Sequence, residues 1–248
     1  MCTLSWFYHE DNHYEVYFNR DEQRSRLPAL EPQRIDIDGV QCLMPFDPVG
    51  GGSWISTNEH GVTVCLLNYY QGKTPIGELT SRGLIIKRLA SSYSSRSVDN
   101  RIKKMDLSLF APFTLVSFDT DYIGDEVVRW TWDGEQLIRS FACAPVVSAA
   151  MHFEMACTYR SKLFKQLLST KPKHEVGRLF HKAHDEHYPH LSPLMDRNDA
   201  STVSFTQVIA SSTKQEMTYQ SIDNHRNVDL RTSLSCCKSD IVEPGVFK

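Results

Sequence analysis

The chain has 248 residues, 41% hydrophobic and 23% charged, with a formal net charge of −3. That composition suits one soluble globular domain of 1–248, and the missing basic surplus excludes a generic nucleic-acid binder. No apolar run reaches the ~18 residues of a membrane span. Residues 1–8 lack the basic and apolar regions of a signal peptide, so the seven cysteines read as reduced thiols of a cytoplasmic protein.

Thr3 to Tyr8 and Glu15 to Asn19 read as two short strands joined by a polar hairpin loop over 9–13. Asp21 to Gly52 is poorly periodic and contains four prolines, which suggests a lid or pocket wall. Within it, Asp38-Gly39 between two short apolar-polar runs marks a small hairpin. Ser53 to Ser56 and Val62 to Asn68 read as strands around the turn Asn58-Glu59-His60-Gly61. Ile85, Leu89 and Tyr93 give a helical stripe from about Leu79 to Ser92. A second block of strands runs from Phe113 to Ser148, with a turn at Asp133-Gly134. Tyr159, Leu163, Phe164, Leu167 and Leu168 mark a second helix. Val176, Leu179, Phe180 and Ala183 mark a third, which ends before Pro189. Thr202 to Ser211 and Glu216 to Ile222 close the domain as strands, and the residues from about 229 read as a loose tail. Strands that cluster while helices come in pairs indicate an α+β fold in layers.

The chemistry concentrates at the N-terminus. Cys2 follows Met1, and Cys is small enough for Met1 to be removed. Cys2 would then carry a thiol and a free α-amine, and an amine of pKa near ~8 can take the thiol proton at neutral pH. Asn19, Arg20, Asp21 and Glu22 lie at the end of the second strand, near the N-terminus if the two strands pair. A carboxylate there can hold the α-ammonium, and an arginine can favour the thiolate. Alternation puts Asn19 and Asp21 on one face and Arg20 on the other, so Asp21 is the better partner for the amine. The competing reading is a solvated strand end with a local ion pair. Asn68 ends an apolar strand, where its amide can either donate to an oxyanion or simply terminate the strand in a turn.

These residues belong to a longer succession: Met1-Cys2, Asn19-Arg20-Asp21-Glu22 with Arg26 and Pro28, Gly51-Gly52-Ser53-Trp54-Ile55, Leu67-Asn68-Tyr69, and Ser81-Arg82-Gly83. The succession resembles the NRDE family, also called the transport-and-Golgi-organisation protein 2 family. That family is similar to N-terminal-nucleophile (Ntn) hydrolases of the choloylglycine hydrolase and penicillin V acylase group. The resemblance implies a four-layer αββα sandwich. It implies Cys2 as nucleophile, Asp21 as the group orienting the amine, Asn68 in the oxyanion hole and Arg20 as an activating arginine. Asn19, Trp54 and Tyr69 are the candidate substrate-binding residues. The hydrolases carry a further Asn after the second block of strands; Ala149 stands there, with Ser148 and His152 as polar neighbours.

Two functions follow from the resemblance. One is a cysteine amidohydrolase or acyltransferase acting on a small acyl or amide substrate. The other is a non-catalytic carrier of a lipid, acyl-thioester or haem-like ligand. No cofactor is implied for the enzyme, and the oligomeric state is left open. His181, His184, His187 and His190 recur every third residue, but each step drifts about 60° around a helix, so no shared metal site is expected.

Overall fold

The computed structural model describes residues 2–10, 13–121, 127–222 and 229–235. The chain opens with the antiparallel pair β1 (Cys2–Tyr8) and β2 (Tyr14–Gln23). The hairpin β3 (Leu30–Ile37) and β4 (Val40–Phe46) follows, turning at Asp38 and Gly39, both with positive φ of 54° and 80°. Two successive left-handed residues form the tight turn that suits the twist of a hairpin, and an Asp-Gly pair tolerates it. β5 (Ile55–Asn58) and β6 (Val62–Asn68) come next. Helices α1 (Gly83–Leu89) and α2 (Ser95–Ile102) lead into β7 (Phe113–Asp119), β8 (Val127–Trp132), β9 (Leu137–Ala142) and β10 (Val146–Ser148). Helices α3 (Phe153–Thr170) and α4 (Lys173–His181) precede β11 (Ala200–Ala210), β12 (Lys214–Ser221) and β13 (Asp229–Ser235).

The strands form two sheets. One has the order β10-β1-β2-β11-β12-β13, and the other runs β3-β4-β5-β6-β7-β8-β9. Alternation along each strand sorts apolar side chains to two faces, and both faces are covered. Leu4, Trp6, Val16 and Phe18 meet Ile55, Leu67, Val116 and Phe118 between the sheets. On the outer face of the first sheet, Phe7, Tyr17 and Phe205 pack against Phe164, Val176 and Phe180 of α3 and α4. On the outer face of the second, Val64, Leu115 and Trp130 pack against Ile85, Leu89, Val98 and Ile102 of α1 and α2. The result is the expected four-layer αββα sandwich of an Ntn-hydrolase-like α+β fold. Truncating a side chain as deep as Leu67 to alanine removes about 2–5 kcal/mol of stability.

Several expectations are corrected. The segment from Asp21 to Gly52 is not irregular throughout, because β3 and β4 join the second sheet, although Arg26, Asp47 and Gly52 on either side of them do wall a cavity. The first helix is one short α1, and Ser94 caps a separate α2 by accepting from the Ser97 amide at 3.1 Å. The third helix stops at His181, so the later histidines of the series lie beyond it. The loose tail does not begin at Asp229, since Asp229–Ser235 adds an edge strand to β12. Cys236 and Cys237, and part of the first hairpin loop, lie outside the described residues. Among the described residues, no helix is long and apolar enough to cross a membrane.

Candidate functional site

Cys2 begins β1 and lies directly opposite Arg20 of β2 on one side and Ser148 of β10 on the other. Its side chain points into the inter-sheet layer with Leu4 and Trp6 and is 7% exposed. It lines a cavity of about 530 Å³ together with Arg20, Asp21, Trp54, Asn68 and Arg82. Burial pushes the Cys2 thiol up, and the nearby Asp21 charge adds to that; a hydrogen bond from the Asp21 backbone and the Arg20 charge oppose it. A thiol so placed does not ionise by itself at neutral pH. It needs a base beside it.

Asp21 is 2% exposed and sits at the end of β2. Its Oδ1 accepts from the Thr202 hydroxyl at 2.7 Å, and its Oδ2 lies 3.9 Å from Nη1 of Arg160. Burial pushes its carboxyl pKa up, while Arg160 and Thr202 pull it down. Arg160 comes from α3 and is itself 1% exposed; it donates Nε to the Leu191 carbonyl at 3.0 Å and Nη1 to the Thr3 hydroxyl. The carboxylate is therefore fixed from the helix side while its residue borders the cavity.

Arg20 faces the same way as Cys2, opposite to the side taken by Asp21. Its guanidinium stacks 4.5 Å over the Trp54 ring and pairs with Glu22 at 3.2 Å and Asp47 at 3.3 Å. Arg26 joins the same carboxylates at 2.7 Å from Asp47 and 3.6 Å from Glu22. Asp47 also accepts from the Val49 and Gly50 amides at 3.0 and 3.3 Å, so it ties the Gly50-Gly51-Gly52 loop to this network. Gly52 has to be glycine, because a Cβ there would lie 2.2 Å from the backbone carbon of Gly83. That close approach places Arg82, at the start of α1, on the cavity wall.

Asn68 ends β6 across the cavity, and its Nδ2 donates to the Tyr70 hydroxyl at 2.9 Å. An amide nitrogen carries two N–H donors, so a second remains for a ligand. The Asn68 carbonyl accepts from the Ser148 hydroxyl, which links β10 to β6 beside Cys2.

Two expected substrate-binding residues fall elsewhere. Asn19 is fully buried on the helix-facing side of β2, with Nδ2 donating to the carbonyls of His181 and Pro193 at 2.8 Å each. It does not line the cavity, because alternation turns it away from Cys2. Tyr69 also lies off the cavity wall, where Tyr70 stands instead. Ala149 is 2% exposed and packs with Ala156 and Leu191 under α3. Neither Ser148 nor His152 lines the cavity, so neither replaces the missing amide. The histidines do not converge. His181 Nε2 sits 2.9 Å from the Ser5 hydroxyl, and His184 Nδ1 sits 3.0 Å from the Leu194 carbonyl. Among the described residues, no group of three or more His, Cys, Asp and Glu is placed to hold a metal ion.

Sequence reasoning missed Arg160 and Arg82. Arg160 lies far along the chain from Thr3 and Asp21, and nothing local marks it. Arg82 stands within the Ser81-Arg82-Gly83 succession, a signal without an assigned role until the cavity is seen.

The fold is shared with solved hydrolases. Penicillin V acylase from Agrobacterium tumefaciens superposes with a TM-score of 0.55 at 9% identity, over 95% of this chain and 86% of that one. A mutant of conjugated bile acid hydrolase from Clostridium perfringens gives 0.54 at 9% identity, over 97% and 94%. A second variant of the same hydrolase gives 0.53 at 10% identity, over 96% and 93%. At such identities the likeness concerns the fold. No curated protein matches by sequence. The model of the family described as Transport and Golgi organisation 2 matches residues 1–225, and the chain belongs to that family.

Proposed function

We propose that this protein is an N-terminal cysteine hydrolase or acyltransferase acting on an amide or thioester. The observation that carries this reading is one cavity lined by Cys2, Arg20, Asp21 and Asn68. Once Met1 is removed, the Cys2 amine takes the thiol proton as Sγ attacks the substrate carbonyl carbon. Asp21 holds the resulting ammonium, and Arg160 and Thr202 hold Asp21. The second Asn68 N–H donates to the oxyanion. Collapse expels the leaving group, which takes the proton from the ammonium, and the acyl group stays on sulfur. Water or another acceptor, deprotonated by the same amine, then releases the acyl group. The high thiol pKa fits this scheme, because the proton leaves to a neighbouring base rather than to solvent. A panel of straight-chain acyl p-nitroanilides and acyl thioesters tests it. Turnover in the Met1-processed protein and none in Cys2→Ala supports the reading. Equal release by both would remove it.

A second reading, a carrier for an apolar ligand, is favoured by two observations. No amide stands at Ala149, and Arg20, Glu22 and Arg26 also wall a second cavity of about 450 Å³ with Leu27, Leu194 and Met195. Cys2→Ser separates the two readings. It abolishes turnover if the protein is an enzyme, and leaves the affinity for an apolar ligand unchanged if it is a carrier.

A further inference from the structure

The charges on the wall of the Cys2 cavity are equal in number but not all paired with one another. Three guanidiniums border it, those of Arg20, Arg26 and Arg82. Three carboxylates border it too, those of Asp21, Glu22 and Asp47. Arg20 and Arg26 share Glu22 and Asp47 between them. Asp21 is met from behind by Arg160, which is not on the wall. Arg82 is therefore the surplus cation, and it forms no ion pair among the described residues.

Arg82 is half-buried, with most of its donors unused by the protein. One N–H, on Nη1, donates to the Pro112 carbonyl at 2.8 Å, and the guanidinium makes no other hydrogen bond among the described residues. Arginine has five donors in a flat fork that matches a carboxylate, so a tie to one carbonyl leaves most of them unused. Burial pushes the Arg82 pKa down, and the nearby Tyr70, Cys2 and Glu22 offset this only in part. The start of a helix is also a poor place for a cation, because the positive end of the backbone dipole lies there. Helix formation therefore gives no reason for arginine at this position. A ligand does.

We propose that Arg82 recognises a carboxylate on the ligand of the Cys2 cavity, so that the compounds this site takes are acyl derivatives bearing an acid group. The inference rests on the reading that this cavity holds the substrate of Cys2. Arg82 would act as a specificity residue, opposite a paired Arg20 whose charge is already satisfied by the protein.

Binding to the Cys2→Ala protein tests this without any need for turnover. The probes are N-hexanoyl-alanine and its uncharged C-terminal amide, titrated by calorimetry at neutral pH and low salt. A charge-assisted pair at this site predicts about tenfold to a hundredfold tighter binding of the acid. That preference shrinks as salt is added, disappears with Arg82→Gln and returns in part with Arg82→Lys. Equal binding of the two probes to the Cys2→Ala protein overturns the proposal, as does failure of both to bind; neither outcome depends on how the Arg82 variants fold. A preference that persists in a folded Arg82→Gln protein also overturns it. Acylation of Cys2 without acid preference would sink this inference and leave the proposed function standing. Acid preference without any acylation would do the reverse.

Discussion

The two faces of the β1–β2 hairpin carry similar residue types to different ends. On the helix-facing side, Thr3, Ser5, Asn19 and Asp21 meet Arg160, His181 and the carbonyls of the 181–193 segment in a closed, buried polar layer. On the inter-sheet side, Cys2 and Arg20 look into an open cavity bordered by Trp54, Asn68 and Arg82. One face pairs most of its polar groups within the protein, although Asn19 Oδ1 and His181 Nδ1 accept no hydrogen bond among the described residues, and the other leaves a thiol, an amide N–H and a guanidinium facing the cavity. Asp21 links the two, since its carboxylate is anchored in the closed layer while its residue borders the open one.

The contrast breaks most sharply at Arg160. Replacing it with methionine strands the buried Asp21 carboxylate, and chemical denaturation should show a loss of about 3–5 kcal/mol. Unchanged stability would mean that the pair is not what holds the closed layer. Asn68→Ala acts on the open face. Its side chain meets the exposed Tyr70, so the melting temperature should hold while turnover falls by about 10²–10³-fold. Normal turnover would take Asn68 out of the mechanism. Asn19→Ala should do the opposite. It takes the Asn19 amide from the His181 and Pro193 carbonyls, which costs about 1–3 kcal/mol, while Cys2 alkylation rates stay as in the parent; a change in those rates with no change in stability would return Asn19 to the site.

The smallest effect sharpens the comparison by pH. Burial and the Arg160 charge hold His181 down to about 3, against 6.5 for a free imidazole. Between those values the unfolded chain binds the extra proton and the folded chain does not. The contribution is therefore complete above about pH 6.5 and is lost as pH falls towards 3, at up to about 1.4 kcal/mol per unit. His181→Leu should flatten that part of the stability–pH curve; an unaltered slope would assign the acid sensitivity to other groups.

Much of the architecture was legible in the sequence because it depends on local signals. The Asp38-Gly39 hairpin, the β5–β6 turn and the amphipathic α3 each carry their own pattern. Cys2, Asp21 and Asn68 could be singled out because strand ends and an N-terminal thiol are visible along the chain, and the three border one cavity. Which face of a strand meets a cavity is not. Alternation separated Asn19 and Asp21 from Arg20, but only the register that sets Cys2 against Arg20 shows that Arg20 shares the nucleophile's face. The same register turns Asn19 away from the cavity. Arg160 was invisible because its partners Thr3 and Asp21 lie on strands far away in the chain, and β13 because its sequence resembles the polar tail around it.

The central claim is that Cys2, freed of Met1, is a nucleophile served by its own amine and by Asp21. Intact-mass spectrometry of untagged protein, before and after a small electrophilic acyl probe, tests it most directly. The account predicts loss of the mass of Met1, addition of one acyl group at Cys2, and no addition in Asp21→Asn. Retained Met1, or equal labelling in the Asp21→Asn protein, would contradict it.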